Sequence, residues 1–577
     1  MTSQADMGEA LAHHQAGRLL EAERIYKLIL AGEPRHADAL HLLGVAAHQS
    51  GEHERAIALI SQAVDAAPAN AFYLNNLGEA HRALEKWAQA ADCYRRCLSI
   101  DPRHAAAHNN LALVHAAEGR LEDAEASFRS ALALTPEDAE VHANLGDVLT
   151  SRGKLDDAVA CFQRAVALEP RLAAVHGRLG RLALEQRRLA EAVDSFRKSL
   201  ALQPDDADTQ VGLARALIEQ HHFEEAEAAA RAAMRLSPEH DSAALLLGYA
   251  LFHQDRYDEA SDAFLTPVRR LRALGSRPDN TTSTFSQVSR TKLQQDVEQL
   301  QYLIERGRLP EEHHHLLKDY QDFVARYAEN VERTVLLKVP PDDPIAPYYN
   351  RLIIDAPEPT IPGGSLNPDL DTKAVESAFH GSHLGFTQID QLLNDAALLA
   401  LRRYCLEPSI WFEMDFHSEV SSSLPNGFCC PLLLQIAADI RAAFPSVFGD
   451  HQFVTCWSYK YFQNGTDGHL HADRGAASLN LWVTADESNL EPETGGLVLW
   501  NKAAPDDYFH VTGEEMDNMG HALIAEPDAE PGYVPYACNR AMLFRSNVLH
   551  KSHRMKFKDA YPLRRVSITF LYGKPGH

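Results

Sequence analysis

AFYLNNLGEAHRALEKWAQAADCYRRCLSIDP, residues 71–102, carries four landmarks: Gly78, Ala90, Tyr94 and Pro102. Each recurs at a spacing of 34 residues. The proline series is Pro34, Pro68, Pro102, Pro136, Pro170, Pro204 and Pro238, without slippage. The alanine series runs Ala22, Ala56, Ala90, Ala124, Ala158, Ala192, Ala226 and Ala260. A small residue recurs at Gly44, Gly78, Ala112, Gly146, Gly180, Ala214 and Gly248, and a ring at Tyr26, Tyr94, Phe128, Phe162, Phe196 and Phe264. Several residue classes locked to one period signify a repeat array. Each unit fits two helices joined by short turns. The small residue lets the two helices approach, the ring fills the space beside that contact, and the proline ends the second helix.

This pattern resembles the tetratricopeptide repeat family, with about eight repeats over residues 1–272. The resemblance implies an all-α right-handed superhelix with a concave face. Asn76, Asn110 and Asn144 repeat at the same step, two positions before the small residue. Stacked carboxamides can donate to and accept from a peptide backbone without reading its side chains. They resemble the asparagine ladder of O-GlcNAc transferases, which holds extended polypeptide. A protein or peptide partner on the concave face is therefore the expectation, against the plainer reading that these residues only cap or solvate the groove. Leu42 and Arg178 fill the flanking slots, so the ladder spans three repeats.

The whole chain has 577 residues, a length that suits three or four domain-sized units. Hydrophobic residues make up 45% and charged residues 23%, an ordinary globular balance. Against 55 Lys and Arg stand 80 Asp and Glu, a formal net charge of −25. That charge repels phosphate backbones and anionic lipid, so neither nucleic acid nor membrane is expected as a partner. The start, MTSQADMGEALAHHQAG, lacks a basic stretch followed by an apolar core. The 8 Cys form no paired zinc framework and no dense disulfide pattern, which points to the cytoplasm.

Residues 273–340 read as a joint. RALGSRPDNTTSTFSQ (272–287) is polar and turn-rich, a linker. TKLQQDVEQLQYLIERG (291–307) and EEHHHLLKDYQDFVARYAENVERTVLL (311–337) show helical spacing. Beyond 341 the pattern changes to two further helical stretches, near 391–405 and 430–443. Short alternating strands follow: VTCWSYKYF, SLNLWVTAD, GGLVLW, RAMLFRS and RVSITFLYG. These argue for an antiparallel barrel or sandwich.

The candidate chemistry lies in YKYFQNGTDGHLHADRGAASLNLWVTAD (459–486). His471 and Asp473 are two apart, so on a strand imidazole and carboxylate face the same side. A third ligand must come from elsewhere, and RAMLFRSNVLHKSH (540–553) offers His550 or His553. Two His and one carboxylate leave open positions on an octahedral metal, the arrangement of non-haem Fe(II) oxygenases. The dipeptide spacing alone is weak evidence in a chain with 30 His, and His36-Ala37-Asp38 spells the same HAD inside the repeats. Context separates the two. Only the second has strands, a distal His550 79 residues on, and Arg565 beyond it, with Ser567 on the same strand face. A fixed guanidinium pairs bidentately with a dicarboxylate.

Residues 341–577 resemble the 2-oxoglutarate- and Fe(II)-dependent dioxygenases, and most nearly the bacterial proteins that fuse tetratricopeptide repeats to such an oxygenase. The motifs are HAD, the N-L-W-V-T strand, GGLVLW, LFRSNVLH and RRVSITFLYG. The stretch YFQNGTDGHLHAD also resembles the oxygen-sensing prolyl hydroxylases. The resemblance implies an α+β double-stranded β-helix, or jelly-roll, and hydroxylation coupled to decarboxylation of 2-oxoglutarate, with Fe(II) and O2. It assigns His471, Asp473 and His550 to the metal, and Arg565, Ser567 and Tyr461 to the co-substrate, with Asn480 and Trp482 lining the same pocket. The gap from His550 to Arg565 is longer than the family commonly shows, so HRMKFKDAYPL reads as an inserted loop; His553 would shorten it. His469 reads as a neighbour of the site rather than a ligand. The substrate is expected to be a protein or peptide. The alternatives are a small molecule with the repeats as scaffold, or a non-catalytic adaptor.

Overall fold

The computed structural model describes residues 3–273, 286–328, 331–332, 335–383, 385–411, 413–415, 419–462, 468–512 and 514–573. Most of the linker read at 272–287 lies outside them. Helix follows helix from Ser3 to Arg272, sixteen in all. The chain divides into two compact units, Met1–Ala216 and Leu217–His577. The sequence repeat thus continues past the point where compactness changes owner.

In the first unit each element is a helical hairpin, such as Ala71–Arg82 with Trp87–Ile100. A Cβ on Gly78 would sit 2.5 Å from the Tyr94 ring, and one on Gly146 2.5 Å from Phe162. The glycine and the ring sixteen residues later are therefore one packing device: the missing methyl is the space the ring fills. Ala22, Ala56, Ala90, Ala124, Ala158 and Ala192 are all fully buried, as a close helix crossing requires. Another 34-residue series caps the helices. The side chains of His36, Asn70, His104 and Asp138 each accept a backbone N–H from the first turn of the helix that follows.

In the second unit the helix Tyr257–Arg272 packs on the C-terminal fold. Arg272 is buried and donates to the carbonyls of Asn350 at 3.0 Å, Asn426 at 3.3 Å and Ser409 at 2.6 Å. The first of the two helices read in this stretch is present at Arg290–Glu305. The second differs. Helix covers only His315–Phe323 and continues as a π turn to Ala328, while Leu336–Lys338 is a strand paired with Gln287–Ser289. A three-residue pairing is too short to show alternation, so apolar Leu336 and Leu337 passed as helix.

Two antiparallel sheets follow. The larger has seven strands in the order Phe386–Ile389, Ala541–Arg545, Ala477–Trp482, Val566–Gly573, Gln452–Tyr461, Glu419–Ser423 and Glu413–Asp415. The smaller sets Val548–Ser552 beside Leu497–Ala503 and Pro531–Val534. Their facing sides share one core of Trp482, Met542 and Phe544 from the larger sheet with Leu497, Leu499 and Val534 from the smaller. Gly496 has no side chain because a Cβ there would overlap the Val534 carbonyl. Helix Pro431–Ala443 contacts the opposite face of the larger sheet, where Tyr572 donates to the Ala437 carbonyl at 2.8 Å.

Candidate metal centre

His471 and Asp473 are not on a strand as read. They occupy an extended segment just before Ala477–Trp482, held by one antiparallel bridge between His471 and His550. Their backbones exchange hydrogen bonds of 2.9 and 2.8 Å, and the Asp473 N–H reaches the Ser546 carbonyl at 2.8 Å. Ser546 and His550, from the turn and the strand that follow Ala541–Arg545, therefore hold the segment at two points. Strand pairing is irregular between Val548 and His550, the kind of bulge that re-aims a side chain.

The result is convergence. One ligand atom each from His471, Asp473 and His550 lie within 4.8 Å of one another. His471 Nε2 is 3.8 Å from Asp473 Oδ1, and His550 Nε2 is 3.9 Å from Asp473 Oδ2. Both imidazoles are oriented from behind. Nδ1 of His471 pairs with the His469 carbonyl at 3.0 Å, and Nδ1 of His550 with the Val548 carbonyl at 2.9 Å. A carbonyl only accepts, so the proton sits on Nδ1 and Nε2 is left as a lone-pair donor facing Asp473. Burial, helped by His471, pushes His550 down to about 4, so its ring is neutral near pH 7. Asp473 and His550 are buried, whereas the His471 side chain is 45% exposed, so the cluster opens to solvent on that side. His553 lies apart from the cluster. Its ring packs on Tyr533 with centroids 4.6 Å apart. His469 contributes its backbone carbonyl.

Beside the cluster's strands lies a buried polar group centred on Arg565. Arg565 is 1% exposed. Its guanidinium carbon stands 4.7 Å from the Tyr461 ring centroid and 5.8 Å from that of Trp482, and Nη1 lies 3.5 Å from Ser552 Oγ. Among the described residues no carboxylate pairs with it, and Nε and Nη2 are buried without a hydrogen-bond partner. The Trp482 Nε1 and Asn480 Oδ1 atoms are likewise buried and unpaired. Asn480 anchors itself through Nδ2 to Thr569 Oγ1 at 2.8 Å. Ser567 is buried and sits in register between Tyr459 and Trp482. Burial raises the Tyr461 phenol, which stays protonated and able to donate. A buried cation with orphaned N–H groups is costly unless an anion meets it. The donor set suits a carboxylate.

Two residues at the cluster carried no signal in the sequence. Ser478 donates to Asp473 Oδ2 at 2.7 Å and lies 2.9 Å from Ser546 Oγ. Only the inward phase that Ser478 shares with Asn480 and Trp482 hinted at its position.

In the first unit the asparagines are partly spoken for. Asn110 is buried and donates to Asn75 at 3.2 Å and Glu79 at 2.9 Å, and Asn76 pairs with His41 at 2.8 Å. These bonds tie successive repeats together. Asn144 is half-buried. The ladder as read, with three groove-facing carboxamides, is thus reduced at Asn110, whose amide N–H groups serve the protein itself.

Comparison with known proteins bears on the repeats. A model of the C-terminal domain of cilia and flagella-associated protein 70 matches residues 1–212. A model of the repeat domain of cytochrome c-type biogenesis protein H matches residues 177–277. Among solved structures, pilF of Pseudomonas aeruginosa is 25% identical, with 36% of this chain and 93% of that one covered and a TM-score of 0.32. YrrB, described as a repeat protein with an unusual peptide-binding site, is 21% identical, with coverages of 32% and 95% and a TM-score of 0.30. A thermophilic repeat protein of Thermus thermophilus is 25% identical, with coverages of 32% and 100% and a TM-score of 0.28. No curated protein matches the chain in sequence. Among the described residues no helix is long and apolar enough to cross a membrane. The two family models thus support tetratricopeptide repeats over residues 1–277.

Proposed function

We propose that residues 341–577 form a 2-oxoglutarate- and Fe(II)-dependent dioxygenase of double-stranded β-helix architecture. Its substrate in this reading is a protein or peptide recruited by the repeat groove. The observation that carries the reading is the approach of His471, Asp473 and His550 to within 4.8 Å, two Nε2 lone pairs and one carboxylate. That donor set suits Fe(II) with open positions for small ligands. Bound iron, O2 and 2-oxoglutarate together supply decarboxylation of the co-substrate and oxygen transfer to a C–H bond.

The chain's own contribution is orientation and charge. His471 and His550 offer Nε2, and Asp473 offers a carboxylate oxygen. Arg565, with its two orphaned N–H groups, would take the far carboxylate of 2-oxoglutarate, flanked by Tyr461, Ser567 and Asn480. Exposure on the His471 side leaves an approach for a residue displayed on a polypeptide. The family matches favour a second reading for the repeats, a scaffold that docks partners independently of the site. The test is succinate formation from 2-oxoglutarate with Fe(II) and ascorbate, by wild type, Asp473→Ala and Arg565→Ala. The reading requires both variants to lose at least about tenfold; turnover indifferent to both would contradict it.

A further inference from the structure

We propose that Ser478 and Ser546 form a hydroxyl relay that presents Asp473 to the metal through a single oxygen. This inference rests on the metal-centre reading above and concerns how that site is held. An ionised carboxylate only accepts, so the 2.7 Å contact has Ser478 donating to Asp473 Oδ2. A hydroxyl has one proton, so Ser478 must accept at its 2.9 Å contact with Ser546 Oγ. The direction is fixed: Ser546 to Ser478 to Asp473.

Ser546 holds the segment at two further points. Its carbonyl accepts the Asp473 N–H at 2.8 Å, and its own N–H reaches the Ala476 carbonyl at 3.2 Å. Both serines are fully buried and Asp473 nearly so, which removes water as a substitute donor. The two oxygens differ: Oδ1 stands 3.8 Å from His471 Nε2, whereas Oδ2, 3.9 Å from His550 Nε2, has one lone pair taken by Ser478. Each of the three ligand residues is then fixed from behind by one polar partner: a carbonyl for each imidazole, a hydroxyl for the carboxylate. By weakening Oδ2 as a donor, the relay would favour coordination through Oδ1 alone and leave a position for co-substrate and O2. Ser478 and Ser546 are positioning residues.

Anaerobic titration of the full-length protein with Co(II), followed by its visible absorption, tests this without turnover. Ser478→Ala should weaken Co(II) binding about 10- to 100-fold and change the spectrum as the second oxygen becomes free to bind. Ser546→Ala should weaken it by at least about threefold, and Ser478→Thr, which keeps the hydroxyl, should stay within about threefold of wild type. If wild type binds no Co(II), or Asp473→Ala binds as well as wild type, the metal-centre reading falls and takes the relay with it. If Asp473→Ala abolishes binding while Ser478→Ala matches wild type in affinity and spectrum, the relay alone is overturned. Should Ser478→Ala fail to fold, Ser546→Ala decides: undiminished affinity overturns the relay, and a loss with an unchanged melting temperature supports it.

Discussion

Arg565→Met separates a ligand-binding cation from a packing cation, because the two roles predict opposite outcomes. Met roughly preserves the stem and removes the charge. Arg565 is 1% exposed and has no carboxylate partner among the described residues, so without ligand it carries a desolvation penalty of several kcal/mol. Its contacts with the Tyr461 and Trp482 rings return about 1–2 kcal/mol each. These nearly cancel, so Arg565→Met should change the stability of the ligand-free protein by no more than about 1 kcal/mol, in either direction. Binding tells the other half. Losing a charge-assisted, buried pair with a dicarboxylate costs about 3–5 kcal/mol, or roughly 150- to 4,000-fold in Kd. Urea unfolding of the apo protein and calorimetric titration of 2-oxoglutarate onto the Mn(II)-loaded protein read the two quantities separately. A destabilisation above about 2 kcal/mol with unchanged 2-oxoglutarate affinity would refute the assignment and make Arg565 a structural residue.

Other consequences follow from particular contacts. Gly78→Ala should cost about 1–3 kcal/mol, because the added methyl meets the buried Tyr94 ring at 2.5 Å. Gly32→Ala, with open space around it at the end of helix Leu19–Gly32, should be neutral or gain up to about 1 kcal/mol; hydrogen exchange in the affected helices reads both. Lys460 is buried on the opposite face of the larger sheet, its ammonium without a hydrogen-bond partner and 3.3 Å from the Tyr561 ring centroid. Burial holds it well below the ordinary lysine value of 10.5, so the fold bears no penalty above that pH and an increasing one as pH falls. Lys460→Met should therefore stabilise by about 1–3 kcal/mol at pH 7, with the gain shrinking toward pH 10.5 in denaturant melts. Asn110→Ala should destabilise the first unit by about 1–2 kcal/mol through its lost bonds to Asn75 and Glu79, whereas Asn144→Ala should fall within about 0.5 kcal/mol of wild type.

What the sequence discloses depends on whether a signal is repeated or local. The pairing of Gly78 with Tyr94 was legible because the same packing problem is solved again at Gly146 with Phe162 and at Gly180 with Phe196. Strand Val566–Gly573 was legible because it is long and rich in β-branched and aromatic residues. Gln287–Ser289 and Leu336–Lys338 were not, since three residues cannot display a period. Proline at Pro531 concealed a short strand at the edge of the smaller sheet. Periodicity put Asn110 on the groove side, but its amide is consumed by the neighbouring repeat through Asn75 and Glu79, contacts that no period displays. Arg272 read as the first residue of the polar linker, whereas its guanidinium donates to three backbone carbonyls. At the candidate centre the spacing of His471, Asp473 and His550 was visible. Ser478 and Ser546 were not, because a serine announces nothing until its partner is known.

The central claim is that three side chains from two distant segments hold one metal ion beside the buried Arg565 guanidinium. A crystal structure of the full-length protein, grown without oxygen with Mn(II) and 2-oxoglutarate and read by anomalous scattering, tests it most directly. The expected result is a single anomalous peak bonded to His471 Nε2, His550 Nε2 and one oxygen of Asp473, with a ligand carboxylate on the Arg565 guanidinium. A metal bound elsewhere, or an Arg565 pocket that stays empty of 2-oxoglutarate at saturating concentration, would contradict it.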